Sequence, residues 1–545
     1  MNQKSAIPRD AAAVILLNHA GDKVLWAQRN PQLAFLGGYH AFPGGKLEAS
    51  DQLVKIKNCT DAEELARFIV CAVREAFEEV GVLLVRGGER LTKGQRVSLH
   101  DDLISNRMTF AEILEHWNLW IDVADFFYTG FWTTPKFSSV RFKTRFFLAV
   151  CPLRQKPYAA ISELQNVEFI RPNDALNEWK NSKVLIAPPV LLSLKTLEEF
   201  SPQRRRDAEK DTKSSSNNDS QKTQQISSEF LLKNFASLRL CGEKLLENSQ
   251  AADGHIHYME LNPRVVCFPL KTETLPPATH TNCFIIGRKK FVVVDAASTD
   301  ESEQNALHAL VDSFIEKGFA CQAIITTHLH RDHTGGELIL QKHLQAKFGL
   351  EIPIAAHRLT AESLAGKVEF QKFIEDGEAF ELQDENGADF QLQTMHTPGH
   401  ARGLMAFYDA EFGFLLSGDN VVGSGSVVIA PPEGNMKDYL NSLETMKNLP
   451  NLRFLCGSHG AAVFDAKGKI EGYIAHRLER EGQVLEAFEN GAKTPREIVE
   501  QVYTDISPAL YELAEKSVAA HLEKLYEERI SREQTRTNTK KKSII

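Results

Sequence analysis

Four side chains in THLHRDHTGG, Thr327 to Gly336, have the types and spacing of metal ligands: His328, His330, Asp332 and His333. The apolar run Ala323, Ile324, Ile325 comes just before them, which reads as a buried strand ending in a loop. Alternate residues of an extended segment point the same way. His328 and His330 can therefore share one ion while Asp332 and His333 turn towards a second. Imidazole and carboxylate together suit zinc. The plain alternative is a polar loop with surface histidines.

Two ions need more ligands than one loop supplies, and three further stretches offer them. HTPGHARG (His396 to Gly403) brings His400 after a tight Pro-Gly turn, LLSGDN (Leu415 to Asn420) brings Asp419, and FLCGSHGAA (Phe454 to Ala462) brings His459. Each follows an apolar run and sits beside glycine, as expected where loops at strand ends converge. Singly, each is an ordinary loop residue; together with the first loop they have the composition of a dinuclear site. His255, His257, His280 and His396 are read as surface or supporting residues.

The order of these ligands resembles that of the metallo-β-lactamase superfamily, whose opening strands LPPATHTNCFIIG (Leu275 to Gly287) and VVVDAAS (Val292 to Ser298) also resemble. The resemblance implies an αββα sandwich holding two Zn²⁺ ions. His328, His330 and His400 would bind one ion, Asp332, His333 and His459 the other, and Asp419 would bridge. Asp332 also stands as a catalytic candidate. The implied chemistry is attack of an activated water on a carbonyl or phosphoryl centre. Residues 420–458 are too few to hold the large inserted domain of the nucleic-acid-processing members of the superfamily.

The first half of the chain carries a different constellation. In REAFEEVGVLL (Arg74 to Leu84), Glu75, Glu78 and Glu79 fall at i, i+3 and i+4 and share a helix face, with Arg74 one turn from Glu78. Three neighbouring carboxylates repel one another unless a cation compensates, and a hard divalent ion bridged to phosphate oxygens does so. With Gly45 and Asp51 upstream and Gly81 downstream, the pattern resembles the Nudix hydrolase box. It differs in having Asp51 where glutamate is usual and in a longer stretch before Arg74.

WAQRNPQLAFLGGYHAFPGG (Trp26 to Gly45) resembles the upstream signature of the coenzyme A diphosphatase branch, with Asn30 and Ala34 departing from it. FWTTP, RFKTRFF and IAPPVLLSL extend the likeness across roughly the first 200 residues. The resemblance implies an α/β/α Nudix fold that hydrolyses a nucleoside diphosphate derivative. Glu75, Glu78 and Glu79 would hold Mg²⁺ or Mn²⁺, with Glu78 and Glu79 catalytic. Arg29, Gly44, Gly45 and Arg74 would bind phosphate.

The tail from His476 reads as three short amphipathic helices, the second opened by a Thr494-to-Glu497 capping pattern. Val518, Leu522 and Leu525 place one apolar stripe on the last helix. The HR..RE lead-in (His476, Arg477, Arg480, Glu481) and AHLEKL (Ala520 to Leu525) resemble the small winged-helix tail of lactamase-β-like 2 proteins. In that subfamily a known activity is endoribonuclease cleavage of single-stranded RNA. The tail's charges nearly balance apart from Lys540 to Lys542, a weak footprint for RNA. A packing or dimer-forming helical cap is the alternative.

Stepping these sites into 545 residues requires several domains. Residues 1–200 are expected to form the Nudix domain and 201–228, a polar run with almost nothing to bury, a flexible linker. Residues 229–475 would form the metallo-β-lactamase-like domain, and 476–545 the winged-helix-like domain. The net charge of −9 supplies no general attraction to nucleic acid or membrane. There is no apolar run long enough to span a bilayer and no signal-type start, so a cytoplasmic location is expected. The 8 cysteines lie without a CxxC pair, many in apolar runs, and read as reduced thiols. The expectation is a two-headed hydrolase acting on a small nucleotide derivative at one site and an RNA-type phosphodiester at the other. A thioester at the dizinc site and a non-catalytic, nucleotide-sensing Nudix half are the alternatives.

Overall fold

The computed structural model describes residues 6–542 except Ala34, 60–62, Phe137, Ser139, 201–227, Pro277, Ser424 and Asp505. The expected linker, apart from Ser228, lies outside the described residues, as do the side chains of Lys540 to Lys542. By its internal contacts the chain divides into two units, Met1–Asn262 and Pro263–Ile545.

In the first unit the sheet centres on Arg9–Leu17, which runs parallel to Phe142–Val150 over its full length and antiparallel to Val24–Arg29 and Gly44–Lys46. From Ala11 onward every residue of the central strand is buried, which is why its sequence is continuously apolar rather than alternating. Helix Glu63–Val80 lies against this strand and Gly44–Lys46. Ile69, Val73, Ala76 and Val80 recur at helical spacing and enter the core with Phe68 and Phe77. The core face being fixed, Arg74, Glu75 and Glu78 are directed towards the Gly44–Lys46 side.

Helix Ser228–Ala251 falls within this first unit, whereas the second domain was expected to start at residue 229. Ser249 Oγ donates to Phe131 O at 2.7 Å and accepts from Phe131 N at 3.1 Å, tying the helix to strand Phe127–Thr133.

The second unit has its strands between two helix-backed cores. Strands Lys290–Val294, Ala320–Ile325 and Ile354–Ala356 are mutually parallel, so their carboxyl ends reach one edge of the sheet. Phe414–Leu416 and Phe454–Cys456 form a second parallel pair. Antiparallel strands Ala379–Gln383, Asp389–His396 and Met405–Asp409 connect the two sets. Helices Glu301–Ile315 and Glu337–Phe348 cover one core through Leu307, Val311, Phe314, Leu340 and Leu344. Helices Met436–Lys447 and Ala466–Glu489 cover the other through Tyr439, Leu443, Met446, Ile470 and Tyr473. This is the expected helix-sheet-sheet-helix layering.

The tail has three helices, Ala466–Glu489, Pro495–Val502 and Tyr511–Lys542, and no strand follows Phe454–Cys456 among the described residues. The first and last are 24 and 32 residues long rather than short. Thr494 caps the middle helix by accepting from Glu497 N at 3.2 Å. The reciprocal bond differs from the expected box: Glu497 Oε2 takes Lys493 N, one residue earlier, at 2.6 Å. Val518 is buried, with Leu522 and Leu525 half-buried. All eight cysteines are free thiols, and seven of them are buried. Among the described residues no helix is long and apolar enough to cross a membrane.

Candidate metal centres

The strand ends of the second unit deliver the seven side chains to one place. His328 and His330 follow Ala320–Ile325, with Asp332 and His333 in the short 3-10 turn Arg331–His333. His400 follows Asp389–His396, while Asp419 and His459 follow the two strands of the second parallel pair. Ligand atoms of His328, His330, His400 and Asp419 all lie within 4.8 Å of one another, as do those of Asp332, His333 and His459.

His330 Nδ1 stands 3.0 Å from His328 Nε2 and 2.8 Å from His400 Nε2. Asp419 lies between the two sets. Its Oδ1 is 3.5 Å from His333 Nε2, and its Oδ2 is 3.6 Å from His400 Nε2 and 3.4 Å from His459 Nε2. His459 Nε2 is also 3.4 Å from Asp332 Oδ2.

The opposite side of four of the five rings is held by a partner, which fixes the direction of the ligand nitrogen. His400 Nδ1 bonds Val428 O at 2.9 Å, His459 Nδ1 bonds His280 O at 2.8 Å, and His328 Nδ1 meets Thr327 Oγ1 at 3.0 Å. Asp295 does most here. Its carboxylate accepts from His333 Nδ1, Thr327 N and Thr327 Oγ1, each at 2.8 Å.

The donor set fits two borderline cations. His333 Nε2 and Asp419 Oδ1 are buried and make no hydrogen bond, which is costly unless they serve as ligands. Burial, aided by neighbouring imidazoles, lowers the pKa of His328 and His330, and burial pushes His400 down to about 4, leaving neutral rings of the kind a metal requires. Burial opposes charge on the other groups, but pairing outweighs it. Asp419 and Asp332 lift His459 to about 10, and Asp419 with Asp295 lifts His333 well above its ordinary value. Against the same burial, His333 and His459 hold Asp332 and Asp419 below the usual carboxylate range.

Of the histidines read as supporting, His280 contributes its backbone carbonyl to His459. His396 stacks on His357 at 4.1 Å and bonds Arg402 O. His255 and His257 lie in the first unit near each other. Sequence reasoning missed Asp295, Asn282 and Glu433. Asp295 ends an apolar run, the same signal that marked Asp419, but stood only as part of an opening strand. Asn282 Nδ2 donates to Gly457 O and Gly460 O, both at 2.9 Å, and so shapes the GSHG loop around His459. Glu433 acts electrostatically on His330 and buries an Oε2 that makes no hydrogen bond; no pattern around it marks it in the sequence.

In the first unit Arg74 is the centre of the acidic group. Its guanidinium donates to Asp51 at 2.8 and 3.1 Å, to Glu75 and Glu78 at 2.9 Å each, and to Lys46 O at 3.1 Å. Asp51 thus fills the glutamate position of the box as a buried partner of Arg74. The Arg74 guanidinium, expected to bind phosphate, is buried and its donors are engaged within the protein. Gly44 likewise spends its amide on Glu79 Oε2 at 2.9 Å. Gly45 is required for close approach: a Cβ there would lie 2.5 Å from the Glu75 carboxylate.

Glu75, Glu78 and Glu79 do not bring three ligand atoms within 4.8 Å of one another among the described residues. Arg74 holds the first two and Gly44 the third. Arg29 Nε donates to Phe35 O at 3.2 Å, and its charge acts on Glu79. Burial raises the pKa of all three glutamates, Glu75 to about 7 and Glu79 to about 8, the latter aided by Glu75. A cluster of buried acids short of positive charge is a donor set suited to a hard cation.

The layered sheets and the paired histidine and aspartate sets define a metal-binding hydrolase. Comparison with known proteins places it further. The chain matches the metallo-β-lactamase superfamily model over residues 276–459, the NUDT19 Nudix domain over 55–197 and the β-lactamase-associated winged helix domain over 494–537. It is 30% identical over 260 residues to lactamase-like protein aptB of Emericella nidulans, a match covering 46% of this chain and 76% of aptB. A β-lactamase-like protein 2 homolog of Caenorhabditis elegans is 29% identical, with 45% of this chain and 78% of the relative covered. The atrochrysone carboxyl ACP thioesterase dmxR1 of a Cryptosporiopsis species is 26% identical, with 46% and 72% covered. The chain belongs to the metallo-β-lactamase superfamily, fused to a Nudix domain and ending in a winged helix domain.

Proposed function

We propose that the chain is a two-headed hydrolase, with a dizinc site that cleaves an RNA-type phosphodiester and a Nudix site that splits a nucleoside diphosphate derivative. The observation that carries the first activity is the seven-residue arrangement, with Asp419 between two sets of three. His328, His330 and His400 would hold one zinc, Asp332, His333 and His459 the other. Two such ions supply Lewis acidity and draw the pKa of water towards neutrality. The chain's own residues keep three imidazoles neutral, orient four of the five rings from behind and hold both carboxylates ionised.

At the Nudix site Glu75, Glu78 and Glu79 would hold Mg²⁺ or Mn²⁺, adding to the countercharge that Arg74 supplies to Glu75 and Glu78 and Arg29 to Glu79. Arg29 and Gly45 would bind the diphosphate. The engagement of every glutamate by Arg74 or Gly44 also favours the alternative of a nucleotide-sensing Nudix half. For the dizinc site, the thioesterase named among the relatives favours a thioester as second reading.

The test is to assay the purified chain on single-stranded RNA, an acyl-coenzyme A thioester, free coenzyme A and a panel of nucleoside diphosphate derivatives, with Asp332→Ala and Glu78→Ala as controls. RNA cleavage abolished by Asp332→Ala and untouched by Glu78→Ala is expected. Cleavage that persists in Asp332→Ala refutes the phosphodiesterase reading, and turnover of the thioester alone selects the second. Diphosphate hydrolysis that needs Mg²⁺ and Glu78 supports the Nudix reading; none on the whole panel leaves the sensor.

A further inference from the structure

The HR..RE lead-in to the tail has no role in the chemistry described so far, yet its arginine is buried behind the ligand loops. Arg477, on helix Ala466–Glu489, donates through Nη2 to Val427 O and to Ser426 Oγ, the latter at 3.2 Å. The next carbonyl, Val428 O, is the one that receives His400 Nδ1 at 2.9 Å. The guanidinium also lies 5.3 Å from the ring of Tyr439, whose hydroxyl donates to Asn420 O at 2.7 Å, one residue past Asp419. One turn earlier on the same helix, Tyr473 donates to Gly425 O at 2.9 Å. The helix therefore grips the segment after Asp419 at several points up to the residue beside Val428.

One turn after Arg477, Glu481 accepts from Lys524 Nζ at 2.7 Å and meets His521 Nδ1 at 3.4 Å. These bonds anchor the gripping helix to the last one. From this geometry we infer that Arg477 is a positioning residue for the His328, His330, His400 ligand set, and that the tail braces the metal site through it. The physical reason lies in the imidazole. His400 can aim Nε2 at an ion only while Nδ1–H finds Val428 O in place, and a planar guanidinium fixes the neighbouring carbonyl in one orientation as a lysine ammonium does not. The inference rests on the metal reading above, but on no choice of substrate.

The test is zinc binding by Arg477→Met, Arg477→Lys and Tyr439→Phe, measured by chelator competition and by counting bound ions in native mass spectrometry. In Arg477→Met one of two zinc ions is expected to bind about 10–100-fold more weakly while the other keeps its affinity, as for other outer partners of metal ligands. Arg477→Lys should recover part of the loss, and Tyr439→Phe should show a smaller loss of the same kind. If Arg477→Met does not fold, the other two variants decide. Two ions held with unchanged affinity overturn the inference. So does equal loss of both ions in step with global stability, which marks a merely structural residue. A wild-type chain that takes up no zinc sinks the metal reading itself, whereas normal wild-type loading with unaffected variants sinks only the role of Arg477.

Discussion

Asp295→Asn tests how much of the metal centre is held from behind. The native carboxylate accepts three hydrogen bonds of 2.8 Å, two from Thr327 and one from His333 Nδ1, at a side chain that is almost wholly buried. Asparagine keeps the shape but has one oxygen, so its amide must face a donor on one side. A hydrogen bond to a buried charged group contributes about 1.5–3 kcal/mol. Losing it at His333 frees the ring to turn and removes a charge that favours its binding face. At about 1.4 kcal/mol per tenfold, zinc affinity of the Asp332, His333, His459 set should fall about 10- to 150-fold. Chelator competition on the purified variant reads this directly, with circular dichroism to confirm the fold. Affinity within about twofold of wild type would show that His333 is oriented by its own loop and that the Asp295 contact is incidental.

Arg74→Met leaves Asp51 buried without its partner, and urea unfolding of the first unit should show a loss of about 3–5 kcal/mol. Gly399→Ala places a Cβ 2.4 Å from Tyr439 N at a φ of 136°, so a melting scan should show a loss of about 1–3 kcal/mol together with weakened zinc at His400. The raised pKa values of Glu75 and Glu79, about 7 and 8 against 4.5 unfolded, mean that the folded state binds protons more tightly there. Their contribution is full below about pH 4.5 and is lost as pH rises through 7 to 8, so stability of the first unit should decline across that window. Added Mg²⁺ should flatten the decline, and a slope indifferent to the ion would argue that the acids do not bind it.

The strands and helices that carry the sites were largely legible because burial imposes periodicity. Arg9–Leu17 and Ala320–Ile325 are apolar runs, and helix Glu63–Val80 repeats its apolar residues at turn spacing. The candidate ligands were legible for a second reason, that four loops at the ends of apolar runs each bring histidine or aspartate, and the set together has a composition that no one of them has alone. Helix Ser228–Ala251 was harder to place, since a helix pattern does not say which unit it packs against; Ser249 decides that through Phe131. Arg74 shows a different limit. Spacing put it beside three carboxylates, but only the fold shows that Asp51, Glu75, Glu78 and Lys46 O take up its donors.

By itself the sequence determined the chemistry available to this chain: seven histidine and aspartate side chains in four loops, a glutamate helix behind a double glycine, and a tail of amphipathic helices. These are local facts, set by residue type and spacing along the backbone. The tertiary structure decided which groups stand behind them. Asp295 is 38 residues from His333 in the chain, and Arg477 acts 50 residues from Val427. Such pairings depend on the order in which strands enter the sheet and on where a helix lies across them, and no local spacing encodes either. The candidate ligands are therefore written in the sequence, while the groups that hold them in place come from the fold.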